Sequence, residues 1–110
     1  IFYLRGNSYY ELNKIEEAVT DYLKANELGY KDEEMFVRLG KYYKEKKSNT
    51  FALQYFQKAV ETNKEFAEGY VELGNIYLSE GNIEKASENY NKALQIDTFH
   101  LAKPLLKPVI

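Results

Sequence analysis

The chain has 110 residues, with 17 acidic and 15 basic side chains, a formal net charge of −2 and no cysteine. This length fits one domain, and the absence of cysteine excludes disulfide bridges and thiolate metal sites. The near balance of charge gives no general attraction to nucleic acid or to an anionic membrane. No apolar run approaches the roughly 18 residues of a membrane-spanning helix, so membrane insertion is not expected.

Apolar residues at helical spacing, separated by short polar breaks, predict a chain made of helices. Both prolines fall in the last seven residues, which favours an all-α fold for the rest. The breaks are Asn13-Lys14, Lys47-Ser48 and the stretch "SEGN" at 79–82, where Gly81 suits a left-handed residue and Asn82 can cap the next helix. We predict helices over residues 1–12, 15–28, 33–46, 49–62, 67–80 and 83–96.

The sequence repeats itself with a period of 34 residues and no insertion. Five columns of small or aromatic residues recur in all three units. They are Gly6, Gly40 and Gly74; Tyr9, Tyr43 and Tyr77; Ala18, Ala52 and Ala86; Tyr22, Phe56 and Tyr90; and Ala25, Ala59 and Ala93. A fixed period of this length is typical of a stack of helical hairpins, each of which buries its apolar stripe against its neighbours.

A glycine inside a helix costs about 1 kcal/mol relative to alanine, so Gly74 needs an explanation. We interpret it as the point where the second helix of the hairpin comes close, through Ala86. This interpretation predicts that Gly74→Ala is mild and that Gly74→Leu overpacks the hairpin.

The pattern "Y-x-x-L-G-x-x-Y … A-x-x-x-Y-x-x-A" resembles the tetratricopeptide repeat over residues 1 to about 98. The resemblance implies a right-handed α-solenoid of three helix-turn-helix hairpins, with repeats at about 1–32, 33–66 and 67–98 and an irregular, apolar tail at 99–110. The repeat frame places the start of the first helix before Ile1, so we expect that helix to be clipped and further repeats to precede it. Departures from the pattern include Arg5 in place of leucine and Asn49 at the start of a second helix.

The resemblance also implies a function, which is capture of a peptide or a partner's helix on the face formed by the first helices. A non-catalytic interaction scaffold is therefore the favoured hypothesis. Side chains expected to line this groove are Tyr3, Asn7, Tyr10, Glu34, Val37, Arg38, Lys41, Lys44, Glu68, Val71, Glu72 and Asn75. The centre of this set is basic and its third unit is acidic, which would suit a partner with an acidic portion. The alternative is that these charges only solvate a helix face.

Some relatives hold the C-terminal carboxylate of a chaperone peptide with lysine, asparagine and arginine at set positions. Asn7 fits one such position, but Tyr3 and Arg38 replace other members of the set. Glu68 and Glu72 stand where the third unit should be basic, and they would repel a carboxylate. The sequence therefore disfavours the chaperone-clamp role.

No catalytic or cofactor-binding arrangement is visible in the sequence. His100 is the only histidine, is expected beyond the last repeat helix, and has no cysteine or fixed carboxylate to work with. The acidic clusters Glu16-Glu17 and Asp32-Glu33-Glu34 lie near helix starts, where negative charge is favourable in any case. We expect no enzyme activity, no cofactor, no metal and no nucleic-acid partner.

The segment "LAKPLLKPVI" at 101–110 breaks the repeat pattern and is expected to be extended or irregular. It covers the flank of the last hairpin, packs against further protein outside the given sequence, or docks in a neighbouring molecule's groove to give a homo-oligomer. The compartment stays open, with the cytoplasm favoured. A second functional hypothesis is that the repeats form a structural or oligomerisation segment of a larger enzyme or secretion assembly.

Overall fold

The computed structural model describes the backbone of residues 1–102 and the side chains of residues 1–98. Within these residues it contains six helices and no strand, which confirms the all-α prediction. Five of the six helices lie within two residues of their predicted bounds. The helices are α1 (Phe2–Glu11), α2 (Ile15–Glu27), α3 (Glu33–Glu45), α4 (Asn49–Thr62), α5 (Ala67–Ser79) and α6 (Ile83–Ala102).

The helices pack as three consecutive hairpins, α1 with α2, α3 with α4 and α5 with α6. Among the described residues, consecutive hairpins are joined by the packing of α2 on α3, of α4 on α5 and of α3 on α5. The buried core follows the repeat columns, with Tyr22 and Phe56 fully enclosed between hairpins. Small residues at 18, 52 and 86 are buried beside them, as the pattern predicts.

The in-register glycines lie against aromatic rings of the second helices, and the atoms nearest to Gly74 belong to Tyr90 rather than to Ala86. A Cβ added to Gly74 would stand 2.6 Å from Cε1 of Tyr90, and one added to Gly6 would stand 2.8 Å from the ring of Tyr22. Real Cβ atoms essentially never approach a ring this closely, so the absence of a Cβ lets the ring lie against the helix. The predicted close approach is present, and its nearest side chain is that of the aromatic column, four residues beyond the alanine column.

The turns within the hairpins take the left-handed conformation that the sequence predicts. Asn13, Lys47 and Gly81 have φ of 60°, 66° and 80°. After the third turn, Asn82 accepts a hydrogen bond from the backbone N–H of Lys85 (3.1 Å), which confirms its expected role as the helix cap.

Helix α6 continues to Ala102, six residues beyond its predicted end at 96. Residues 99–102 are therefore helical rather than irregular, and the backbone of His100 lies inside the helix rather than beyond it. The sequence from 97 to 102 has no glycine or proline to stop the helix, and the first breaker is Pro104. The expectations about residues 103–110, including docking into a neighbouring molecule, lie outside the described residues.

Candidate functional site

The first helices α1, α3 and α5 lie side by side, and their outward side chains form a continuous surface that we call the first-helix face. Side chains of α3 reach both neighbours, since Arg38 contacts α1 and Lys41 contacts α5. The face therefore spans all three hairpins, and it contains most of the groove residues expected from the sequence.

Arg38 links α3 to the first hairpin through a relay of hydrogen bonds. Its guanidinium donates to the hydroxyl of Tyr22 (2.8 Å), and that hydroxyl donates to Oδ1 of Asn7 (2.6 Å). The guanidinium also lies 4.2 Å above the ring of Tyr10 and forms an ion pair with Glu11 at 3.3 Å. Burial raises the pKa of Tyr22, so its hydroxyl keeps the proton that it donates to Asn7.

The two lysines at the centre of the face pair with the glutamates of the third unit. Lys41 donates to Glu68 (2.8 Å) and lies 3.9 Å from Glu72, while Lys44 lies 3.6 Å from Glu72. The hydrogen bond to Glu68 raises the pKa of Lys41 above its ordinary value and keeps it charged. Because Arg38 is paired as well, the expected basic centre is neutralised from within the molecule and does not present free cations.

A tyrosine–asparagine pair occurs in the first and third hairpins at equivalent positions. Tyr22 donates to Oδ1 of Asn7, and Tyr90 donates to Oδ1 of Asn75 (2.5 Å). The middle hairpin has Phe56 in the tyrosine column and Lys41 in the asparagine column, so it has no such pair. Because the tyrosine hydroxyl engages Oδ1, the N–H groups of each amide remain as hydrogen-bond donors outside the pair.

The structure removes one residue from the expected groove. Val37 is 0% exposed and belongs to the core between hairpins, whereas its repeat equivalents are on the surface. Of those equivalents, Tyr3 is half-buried with its ring 4.6 Å from that of Tyr30, and Val71 is 38% exposed. Val37 is buried because the middle hairpin has a neighbour on each side.

One apolar residue of the face was missed by the sequence reasoning. Leu78 is 49% exposed on α5, two turns beyond Val71 and one turn beyond Asn75. The repeat period could have found it, because Leu78 is the 34-residue equivalent of Lys44 and Tyr10. With it, the third unit presents two exposed apolar side chains on either side of an amide.

A recess of about 290 Å³ opens between the first and second hairpins at Arg38. It brings together three of the expected groove residues, Tyr10, Arg38 and Lys41. Its other walls come from residues that the sequence reasoning did not select, namely Asn13, Ile15, Tyr42 and Glu45. These four residues lie in a turn or toward the end of a helix, where the repeat columns do not indicate how deeply a side chain is buried.

The described residues contain no cluster of three or more histidine, cysteine, aspartate or glutamate side chains that could hold a metal ion. Over the same part of the chain, no helix combines the length and the apolar character that a bilayer crossing requires. Glu34, the remaining acidic residue of the expected groove, forms an ion pair with Arg38 at 3.6 Å. The charged side chains of the first-helix face are thus paired with one another.

Two family models, each described as a tetratricopeptide repeat, match this chain, one over residues 67–98 and the other over residues 1–28 and 33–66. A curated relative is the UDP-N-acetylglucosamine–peptide N-acetylglucosaminyltransferase of Giardia intestinalis, 32% identical over 80 residues. That match covers 73% of this chain and 5% of the transferase. The chain therefore spans a small fraction of the length of this relative.

Two solved structures share the fold. One is the crystal structure of MamA, with a TM-score of 0.78 and 20% identity, covering 91% of this chain and 58% of MamA. The other is the first TPR of Spaghetti (RPAP3) bound to the HSP90 peptide SRMEEVD, with a TM-score of 0.74 and 21% identity. It covers 88% of this chain and 77% of that one.

Proposed function

Because the chain belongs to the tetratricopeptide repeat family, a family whose repeats mediate protein–protein interaction, we propose that it is a non-catalytic module that captures a partner peptide or helix on the first-helix face. The peptide-bound neighbour of the same fold supports a peptide as the kind of partner. Within the face, we assign the contact to the amides of Asn7 and Asn75 and to the apolar side chains of Val71 and Leu78.

The observation that carries this proposal is the pair of oriented amides. Each asparagine has its oxygen engaged by a tyrosine hydroxyl, at 2.6 Å in the first hairpin and 2.5 Å in the third. Their N–H groups have no intramolecular acceptor in the hydrogen bonds of the described residues, and both asparagines are partly exposed. Fixed donors on a groove suit the backbone carbonyls of a bound segment, since their orientation costs no entropy at binding.

The charges of the face support a partner of low net charge. Arg38, Lys41 and Lys44 are paired with Glu11, Glu34, Glu68 and Glu72, which gives three cations against four carboxylates. An acidic segment would have to displace those glutamates to reach the cations. The peptide SRMEEVD has three acidic residues and one basic residue, so this face does not suit it.

The test selects a binder from a random peptide library on the wild-type chain and measures its affinity for variants by fluorescence anisotropy. Val71→Asp and Asn75→Ala should each weaken binding by about tenfold or more, because one buries a charge and the other removes a donor. Arg38 is a poor choice for substitution, since its side chain holds α1 and α3 together. Affinity should change little between 50 and 500 mM salt if partner charge is unimportant.

The matched control is Gln54→Asp, an exposed position on α4 away from the first-helix face. It adds the same charge as Val71→Asp and should leave the affinity unchanged. Equal affinity of wild type, Val71→Asp and Asn75→Ala for every selected peptide contradicts the assignment of this face.

A second candidate function is that these repeats are an assembly segment of a larger multidomain protein. The match to a transferase of which this chain spans 5% favours it. The two candidates differ in what they predict for the full-length protein. An assembly role requires that removing residues 1–98 changes its association state or activity, even in the absence of any free peptide.

A further inference from the structure

The recess at Arg38, between the first and second hairpins, is lined by two tyrosine rings that their neighbours hold in place. The ring of Tyr10 lies 4.2 Å from the guanidinium of Arg38. The hydroxyl of Tyr42 donates a hydrogen bond to Glu16 of α2 (2.8 Å), and its ring meets that of Tyr43 edge-on at 5.3 Å. Because both rings are fixed before any ligand arrives, a ligand that stacks on them does not have to order them.

The polar side chains of the recess divide into paired cations and unpaired groups. Arg38 and Lys41 each have a glutamate of a neighbouring helix within 3.3 Å. The carboxylate of Glu45 and the amide of Asn13 form no hydrogen bond or ion pair among the residues that the structure describes, and both side chains are exposed. The recess therefore offers an occupant a free carboxylate and a free amide, but no free cation.

This arrangement is specific to the interface between the first and second hairpins. At the next interface, the 34-residue equivalents of Tyr10 and Tyr42 are Lys44 and Ile76, and Ile76 is only 1% exposed. The glutamate of the recess is replaced there by Ser79, whose hydroxyl donates to a carbonyl of its own helix (2.7 Å). The paired rings and the free carboxylate are thus not products of the repeat pattern.

The size and chemistry of the recess restrict what can occupy it. A volume of about 290 Å³ lies at the lower end of ligand pockets, which suits one large side chain. A cationic side chain would enter beside Arg38 and Lys41, and an anionic one would enter beside Glu45, so both would be repelled. An aliphatic side chain would cover the carboxylate without offering it a donor. An indole stacks on aromatic rings, is uncharged, and carries one N–H donor and no acceptor.

We propose that this recess receives a tryptophan side chain of the partner segment, which stacks on Tyr10 and Tyr42 and donates its indole N–H to Glu45. The inference rests on the proposed function, because the recess opens on the first-helix face and specifies one residue of the segment bound there. It uses neither Val71 nor Asn75 of the third hairpin, so the two assignments can fail separately.

The test uses N-acetyl-tryptophanamide as the probe. The chain contains no tryptophan, so the fluorescence of the probe can be excited selectively. Its anisotropy should rise as the wild-type chain is added. Competition with N-acetyl-leucinamide and N-acetyl-argininamide should show that each binds about tenfold or more weakly than the probe, because one has no ring and the other brings a third cation.

Two variants test the assigned contacts. Tyr42→Ala removes one of the rings and should weaken binding of the probe by about tenfold. Glu45→Ala removes the acceptor and should weaken it several-fold, and because Glu45 is exposed on a helix the fold should be kept. The matched control is Phe51→Ala, which removes an exposed ring on α4 and should leave the affinity unchanged. Circular dichroism checks that each variant is folded.

Tighter binding of either competitor than of the probe, or unchanged affinity in both Tyr42→Ala and Glu45→Ala, overturns the proposal. Peptides selected on the first-helix face separate it from the proposed function. If they lose affinity with Val71→Asp but not with Tyr42→Ala or Glu45→Ala, the face binds the partner and the tryptophan assignment is wrong. If the probe behaves as expected and the peptides are insensitive to Val71→Asp, the tryptophan assignment holds and the contact proposed for the third hairpin fails.

Discussion

At the scale of single residues, Gly74 shows how a repeat column can be correct while its explanation is incomplete. The sequence indicated a close approach of two helices through Ala86, and the structure places the Tyr90 ring nearest to Gly74. The repeat pattern alone does not decide between the two, because Ala86 and Tyr90 both belong to recurring columns of the repeat and lie one helical turn apart. The consequence is a reversed expectation for alanine at this position.

We now predict that Gly74→Ala lowers the free energy of unfolding by about 1–3 kcal/mol, because the new methyl group would stand 2.6 Å from the Tyr90 ring and force it to shift. Urea unfolding followed by circular dichroism measures this change. The control Leu78→Ala, on the exposed side of the same helix, should stay within about 0.5 kcal/mol of wild type. A Gly74→Ala chain as stable as wild type would restore the original expectation.

The departure at Arg5 is explained by a partner that the sequence did not reveal. Asp21 is 4% exposed and accepts two hydrogen bonds from the guanidinium of Arg5, at 2.8 and 2.9 Å. In the next hairpin the same two columns hold Leu39 and Tyr55, so an apolar pair has been exchanged for an ionic one. The hydrogen bonds from Arg5 hold the pKa of Asp21 below its ordinary value.

This lowered pKa predicts a specific dependence of stability on pH. A carboxyl with a depressed folded-state pKa stabilises the fold fully above its unfolded value, about pH 4, and loses that contribution as the pH falls through the folded value. The difference in thermal midpoint between wild type and Asp21→Asn should therefore be constant above about pH 5 and shrink below pH 4. In an Arg5→Leu background the dependence should reverse, since burial alone raises the pKa of a carboxyl.

At the scale of helices and hairpins, most of the fold could be predicted and most of the site could not. The 34-residue period predicts the helix positions because residues in the same column tend to be buried to the same degree. Tyr22 and Phe56, which share a column, are both fully buried. Pairing between surface side chains does not follow the 34-residue period. Lys41 of the second hairpin pairs with Glu68 of the third, and no spacing rule predicts this pair. Val37 was misplaced for a similar reason, because its burial depends on the neighbouring hairpins rather than on its own column.

In a tyrosine–asparagine pair, the tyrosine ring contributes to packing and its hydroxyl binds the asparagine, so the two roles can be tested separately. Tyr90→Phe keeps the ring that packs on Gly74 and removes only the hydroxyl that holds Asn75, as Phe56 already does in the middle hairpin. We expect a loss of stability of about 1 kcal/mol and a several-fold loss of affinity for peptides selected on the first-helix face. Anisotropy titrations and urea unfolding of the same sample separate the two effects. Unchanged affinity would show that the hydroxyl only contributes to stability.

The ion pairs between α3 and α5 connect the second and third hairpins. Lys41 and Glu68 are each about two-fifths exposed, so their pair should contribute about 0.2–1 kcal/mol. Lys41→Glu should destabilise the chain, and the exchange Lys41→Glu with Glu68→Lys should recover most of the loss. Thermal unfolding at low and high salt checks this, because screening should reduce the single-variant effect. A double variant no better than Lys41→Glu would contradict the pairing.

At the scale of the whole molecule, the stack behaves as a row of units in which each hairpin contacts only its neighbours. Stability in such a row is a sum of unit and interface contributions, so the position of a defect should matter as much as its size. Phe56 is fully buried in the middle hairpin, while Tyr90 occupies the same column in the last one. Truncating Phe56 to alanine should cost about 3–5 kcal/mol, and truncating the partly exposed Tyr90 should cost less.

Phe56→Ala and Tyr90→Ala should nevertheless destabilise different sets of helices. Hydrogen exchange with mass spectrometry can follow this loss of protection helix by helix. Phe56→Ala breaks the middle hairpin, which contacts both of the others, so amide protection should fall across α1 to α6 together. Tyr90→Ala should lower protection in α5 and α6 and leave α1 and α2 near their wild-type values, because the first two hairpins keep their interface. Equal loss in α1 for both variants would mean that the three hairpins unfold as one cooperative unit, and nearest-neighbour contacts would then not describe this molecule.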